Sequence, residues 1–338
     1  MEASRRTATT PQPTKPTGPL LSVAAKQYFK EVPRAKRTQE QATAELEKFF
    51  TVIGGDKAID TITVGDGRTY KQSLLDTRKL NLATCLKHLS TLSGIFRWAG
   101  KQGYVPDNYN SFRGLLPDKK AVRKQALLVR PFTDAEILSV FSADDFKGQR
   151  TENASRNWVC LMALFMGLRR EEAAQAAVKN IQVEEGIHYL QIDVDEELKQ
   201  NVKNEGSNRR VPVHSALLSL DFLDYVAKIK KAGHARLFPD LKKGGNGYGD
   251  SVGKWFSRHV DSVGLTDPKL VFHSLRHGVI HKLQVAKCPA HVERALTGHA
   301  EQDVHGAIYG HRELLPLSLL KEGMELLRYD EVVKVLAH

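Results

Sequence analysis

Between Pro117 and Arg130 the chain reads Pro-Asp-Lys-Lys-Ala-Val-Arg-Lys-Gln-Ala-Leu-Leu-Val-Arg, with five basic residues and a single acid, Asp118. Long stretches of helical apolar spacing lie on both sides of it. The run therefore divides the chain into two folding units, and 338 residues suffice for two cores. On the N-terminal side, Leu21, Val23, Ala24, Tyr28 and Phe29 recur at helical spacing. A second amphipathic stretch through Ala42, Leu46, Phe49 and Phe50 stops at Gly54-Gly55. The clearest helix spans Asn81 to Gln102, where Leu82, Cys85, Leu86, Leu89, Leu92, Ile95, Phe96 and Ala99 share one face; Gly103 ends it and Pro106 prevents its resumption. Residues 20–116 thus read as an all-helical domain. Residues 1–19, with five Thr, four Pro and almost nothing to bury, read as a disordered, weakly basic tail.

Residues 131–338 read differently. Thr133 and Glu136 form a capping-box pattern, and a long helix follows through Trp158, Leu161, Met162, Phe165 and Leu168, with a turn at Gly167-Leu168-Arg169. Ile187, Tyr189, Gln191 and Asp193 then alternate with His188, Leu190, Ile192 and Val194, and Arg209–Val213 reads as another strand, so 180–213 is expected to be a small antiparallel sheet. Helical spacing returns from Ala216. The expected fold class is mainly α with a small antiparallel β-sheet: a helical domain at 20–116, a basic linker at 117–130, and an α+β domain at 131–338 ending in a helical tail.

Lys plus Arg number 50 against 39 Asp plus Glu, a net charge of +11, which favours a polyanionic partner. Cys85, Cys160 and Cys288 are scattered without CxxC spacing and read as buried thiols of a reducing compartment. No apolar run reaches the roughly 18 residues that span a bilayer, and the N-terminus lacks a secretory apolar stretch. A cytoplasmic protein, with no membrane association, is expected.

Four segments carry chemistry. They are Gly167-Leu-Arg169-Arg-Glu-Glu172; Lys203-Asn-Glu-Gly-Ser-Asn-Arg209-Arg-Val-Pro-Val213; His273-Ser-Leu-Arg276-His277; and Leu296-Thr-Gly298-His299, with Tyr309 ten residues further on. Two arginines, a lysine, two histidines and a tyrosine can together break a DNA phosphodiester without metal or nucleotide. A phenol with an ordinary pKa of about 10 leaves more readily than an alkoxide, so a phosphotyrosine link conserves the bond energy and is reversible. Planar guanidinium forks bond two phosphate oxygens at once, and they count most where charge develops in the transition state.

The order and spacing of these segments resemble the tyrosine recombinase (phage integrase) family. The resemblance implies that Tyr309 is the nucleophile and that Arg169 and Arg276 clamp the phosphate. Lys203 is implied as general acid, its rival Lys199 lacking the Ser-x-Arg-x-Val-Pro frame. His273 would accept the tyrosine proton or bond the phosphate, and His299 would donate to a non-bridging oxygen. Arg169 is preferred to Arg170, which reads as a solvated helix residue. Glu172 is a supporting partner of Arg169, and His277 a packing residue. Val279-Ile280 and Asn204 depart from the usual pattern, and the His299–Tyr309 gap is one residue longer, but no reacting group is lost.

The resemblance further implies a core-binding role for 20–116 and a catalytic domain at 131–338. Lys119, Lys120, Arg123 and Lys124 would track phosphates, a solvated loop being the other reading. Double-stranded DNA carrying specific recombination sites is the implied partner. A homotetramer on two duplexes and DNA-bending accessory proteins are implied as well, with no cofactor or metal and a nucleoid-associated location. The apolar face of Leu314, Leu315, Leu317, Leu319, Leu320, Met324, Leu326 and Leu327 either packs within its own domain or docks into a neighbouring protomer. The expected function is integration or excision of a mobile element through a 3′-phosphotyrosine intermediate. A type IB topoisomerase and an inactive DNA-binding accessory protein are the alternatives.

Overall fold

A computed structural model describes residues 17–125, 128–146, 154–193, 208–299 and 315–337. The chain divides into two compact units, Met1–Ala126 and Leu127–His338.

The first unit is built from α1 (Leu21–Glu31), α2 (Lys36–Ile53), α3 (Val64–Gln72) and α4 (Leu82–Lys101). Local chemistry marks the ends. Gly54 adopts a left-handed φ of 83° after α2, and Gly103 one of 73° after α4. Asn81 caps α4 by accepting Thr84 N–H at 2.9 Å. The apolar faces meet in an aromatic cluster in which Phe49 lies 5.0 Å from Tyr70 and 5.5 Å from Phe112, ring centre to ring centre. Each fully buried ring of this kind contributes about 2 kcal/mol. Glu45, also buried, accepts the Tyr70 hydroxyl and the Arg78 guanidinium, so its charge is paired inside the bundle.

Two expectations at the edges of this unit change. The last residues of the N-terminal tail are held, because Asp60 accepts Thr17 N–H at 2.8 Å and Gly18 N–H at 3.1 Å. Much of the charged linker is helical: Lys119–Gln125 forms α5. Asp118 starts it by accepting Lys120 N–H at 2.9 Å and Ala121 N–H at 3.0 Å.

The second unit opens with α6 (Asp134–Ser142), capped by the reciprocal Thr133–Glu136 bonds at 2.8 and 3.2 Å. Its centre is α7 (Ala154–Met166), in which every residue from Trp158 to Met166 is buried. A helix apolar on all sides belongs in a core. After α8 (Arg170–Ala174) come β1 (Ile181–Glu184), β2 (Ile187–Ile192) and β3 (Arg209–Pro212), an antiparallel sheet in the order β1-β2-β3. Val183 pairs with His188, and Leu190 with Val211. Glu185 and Gly186, both at positive φ (50° and 78°), make the two-residue turn joining β1 to β2. The remaining helices are α9 (Ser215–Ser219), α10 (Phe222–Lys231), α11 (Asp250–Ser262), α12 (His273–Val285), α13 (Ala290–Thr297), α14 (Leu317–Met324) and α15 (Asp330–Ala337).

The C-terminal helices pack on their own unit. Leu317, Leu320 and Met324 of α14 are buried where it meets α13 and β3, and α15 packs on α6. Lys321 Nζ donates to Val213 O at 2.7 Å, and Glu325 accepts from Ser215 N–H and Oγ at 2.9 and 2.6 Å. Cys85 and Cys160 are buried thiols, whereas Cys288 is partly exposed because it lies in the turn between α12 and α13. Among the described residues no helix is long and apolar enough to cross a membrane.

Candidate active site

The site is organised by the C-terminus of α13, where three successive carbonyls each receive one guanidinium. Leu296 O accepts Arg209 Nε at 2.9 Å, Thr297 O accepts Arg276 Nη2, and Gly298 O accepts Arg169 Nη2 at 3.1 Å. Unsatisfied carbonyls and the negative end of the helix dipole favour cations there. Gly298 closes the helix with φ 65°, and a Cβ on it would lie 2.8 Å from Arg209 Nη1. Only glycine meets both demands. His299 follows directly. It is half-exposed, with Nδ1 3.2 Å from Thr297 Oγ1 and 3.8 Å from Glu293 Oε1.

Arg169 is the N-cap of α8, and Glu172 in the first turn reaches back to it. Glu172 Oε2 accepts Arg169 N–H at 2.8 Å, and Oε1 accepts Arg169 Nη1 at 2.6 Å. The same carboxylate accepts Arg209 Nη1 and Nη2 at 3.1 and 2.8 Å. Arg276 comes from α12, where its Nη1 donates to Gly167 O at 2.6 Å. Gly167 has φ 64°, and a Cβ there would lie 2.9 Å from Val279 Cγ1, so the turn between α7 and α8 must pass close to α12.

Charge distributes accordingly. Burial pushes the Glu172 carboxyl up, but Arg209 and then Arg169 overcome this and hold it at about 2. Burial, followed by the charges of Arg169 and Arg209, lowers Arg276 to about 9, which leaves it protonated at neutral pH. Burial and the Arg276 charge depress His299 as well. Three guanidiniums therefore face one closely paired carboxylate. Such an excess of fixed positive charge in a partly dry site suits an oxyanion of phosphate type.

Of the residues singled out in the sequence, the structure brings Arg169, Arg276 and His299 together at the end of α13. His273 opens α12, exposed, with its ring edge-on to His277 at 4.8 Å. Lys203 and Tyr309 lie outside the described residues. Lys119, Lys120 and Lys124 are exposed on α5, at the end of the first unit, which also includes Arg123.

Arg170 is not solvated as expected. Its side chain packs so closely on Gly249 and Gly253 that a Cβ on either would lie 2.8 or 2.1 Å from it. By sequence Arg209 is only part of the frame around Lys203, yet it is buried and touches both Glu172 and α13. The signal available was the alternation of the strand, which puts Arg209 on the same face as the apolar Val211 and Val213. Among the described residues no group of three or more His, Cys, Asp or Glu could hold a metal ion.

The phage integrase family model matches residues 132–314. Comparison with curated protein sequences gives no match. Several solved structures share the fold. The Tn1549 transposon integrase in complex with a circular intermediate DNA is 16% identical with a TM-score of 0.62, over 83% of this chain and 91% of that one. A phage lambda integrase tetramer bound to a Holliday junction is 17% identical with a TM-score of 0.61, over 84% and 78%. A lambda integrase dimer bound to a COC′ core site is 16% identical with a TM-score of 0.57, over 88% and 97%. With its model matched across more than half of the sequence, the chain belongs to the phage integrase family, the tyrosine site-specific recombinases.

Proposed function

We propose that this recombinase cuts and rejoins DNA strands through a covalent 3′-phosphotyrosine formed by Tyr309, and that it moves a mobile element into and out of a larger DNA. The observation that carries the reading is the convergence of Arg169, Arg276 and His299 at the end of α13. In this mechanism Arg169 and Arg276 hold the non-bridging oxygens of the scissile phosphate, and His299 donates a further hydrogen bond. Tyr309 attacks phosphorus, its proton passing toward His273. Lys203 protonates the departing 5′ oxygen. Reversal by a 5′ hydroxyl from a second duplex joins the exchanged strands.

The partners that follow are duplex DNA with defined recombination sites, further copies of the chain assembled as a tetramer on two duplexes, and DNA-bending accessory proteins. Residues 20–116 serve as the core-binding domain, with Lys119, Lys120, Arg123 and Lys124 on phosphates beside it. The protein acts in the cytoplasm, at the nucleoid. Lambda integrase, seen as a tetramer on a Holliday junction, supports the assembly.

The test is incubation with supercoiled plasmids that carry or lack the element's junctions, followed by trapping of protein–DNA adducts. Adducts at a defined sequence, lost in Tyr309→Phe while DNA binding persists, are expected. Equal relaxation of every plasmid would replace this reading with a topoisomerase, and binding without adducts with an accessory protein.

A further inference from the structure

Lys242-Lys-Gly-Gly-Asn-Gly-Tyr-Gly249 lies outside the four segments that carry chemistry, yet α8 fixes its shape. Glu171, two residues after Arg169, accepts Tyr248 N–H at 2.7 Å and Gly249 N–H at 2.9 Å. Gly247 has φ 97°, and a Cβ there would fall 2.3 Å from the Glu171 carboxylate, so the backbone is pressed onto α8. Gly244 and Gly247 exchange backbone hydrogen bonds of 2.9 and 3.1 Å, which closes the tip around Gly245-Asn246. The stretch from Lys242 to Asn246 is nonetheless exposed.

The tip is also basic. The Arg236 guanidinium lies 3.9 Å from the Tyr248 ring centre and Lys243 Nζ 5.9 Å from it. The carboxylates beside it are already engaged. Glu171 takes the two N–H groups, and Asp250 accepts Asn246 Nδ2 at 2.8 Å and Lys254 Nζ at 3.1 Å. An exposed loop held in one shape, with lysines at its start and no bulky side chain between Lys243 and Tyr248, can approach a rigid polyanion closely and lose little entropy on binding.

We propose that this tip is a preformed grip on the sugar-phosphate backbone of duplex DNA, with Lys242 and Lys243 each neutralising one phosphate. The inference rests on the recombinase reading, because its tether to α8 would place the tip on DNA flanking the phosphate held by Arg169. Contacts of this class position the duplex and carry no base sequence.

The test uses full-length Tyr309→Phe protein and a mixed-sequence duplex of roughly 30 base pairs, with the dissociation constant measured across a salt series. Each phosphate contact contributes about 0.9 to the slope of log K against log salt. Lys242→Gln/Lys243→Gln should therefore lower that slope by roughly 2, and Lys230→Gln/Lys231→Gln, an exposed pair on α10, should leave it unchanged. Glu171→Gln removes a negative charge from the protein but should weaken binding, because an amide can accept only one of the two N–H groups that anchor the tip.

An unchanged slope in the Lys242/Lys243 variant, an equal loss in the control pair, or tighter binding by Glu171→Gln overturns the proposal. The lysine result stands whether or not Glu171→Gln folds, since both lysines are exposed. Failure of the parent protein to bind any duplex would instead refute the recombinase reading.

Discussion

Replacing Arg209 by Met removes the charge facing Glu172 while keeping much of the side-chain volume. The hydrogen bonds lost with it include two to Glu172, at 3.1 and 2.8 Å, and one to Leu296 O at 2.9 Å. Against the rise that burial imposes, Arg209 and Arg169 hold Glu172 at about 2, from an ordinary 4.5. A depression of that size corresponds to about 3 kcal/mol of stability at neutral pH. Removing one partner of a buried pair costs about 3–5 kcal/mol. Arg169 stays beside the carboxylate, so the loss belongs at the low end, about 3 kcal/mol.

The pH dependence has a definite sign. A carboxyl depressed in the folded state stabilises fully above its unfolded value and loses that contribution as pH falls through its folded value. The gap between parent and variant should therefore be complete above the ordinary 4.5 and close as pH falls toward about 2. Urea unfolding in a Trp98→Phe background leaves only Trp158 and Trp255, both in the second unit, as fluorescent reporters. With an m-value of about 2–3 kcal/mol/M, the midpoint should fall by roughly 1 M at neutral pH. A shift below about 0.3 M, or a gap unchanged near pH 3, refutes the reasoning.

Other perturbations follow from the same geometry. Gly167→Ala combines a positive φ with a Cβ 2.9 Å from Val279 Cγ1. It should cost about 2–3 kcal/mol, read as a lower melting temperature, and Val279→Ala should recover only the steric part. Inorganic phosphate should raise the melting temperature of the second unit by relieving the repulsion among Arg169, Arg209 and Arg276, and Arg169→Gln should reduce that rise; an equal rise in the variant contradicts the anion site. His214 caps α9 by accepting Ala216 N–H at Nδ1, and burial lowers its pKa. The unfolded chain then takes up the proton first, so stability should fall as pH drops below about 6.5, and His214→Asn should flatten that fall in a pH series of melts.

Elements governed by local chemistry were legible in the sequence. The helix expected from Asn81 to Gln102 is α4, with Asn81 as its cap, and the Thr133–Glu136 pattern closes as a capping box. The alternation from Ile187 onward is the central strand of the sheet. Distant contacts were not legible. Nothing near Arg209 announces a carboxylate 37 positions away or a helix end 87 positions away. Arg170 reads as solvated until Gly249 and Gly253 are seen to leave room for it. The apolar face of α14 fits either an intramolecular or an intermolecular partner by pattern alone; within this chain Leu317, Leu320 and Met324 are buried, and Lys321 and Glu325 bond the β3–α9 connection.

The most direct measurement is peptide mapping of a trapped protein–DNA adduct by mass spectrometry. Full-length protein is incubated with a nicked substrate that carries the element's junction, the DNA is digested, and the modified peptide is sequenced. The expected result is a 3′-phosphonucleotide on Tyr309, with its yield much reduced by Arg169→Gln or Arg276→Gln. A nucleotide carried on any other side chain, or adduct yield indifferent to both arginines, would contradict the phosphate clamp and the tyrosine chemistry together.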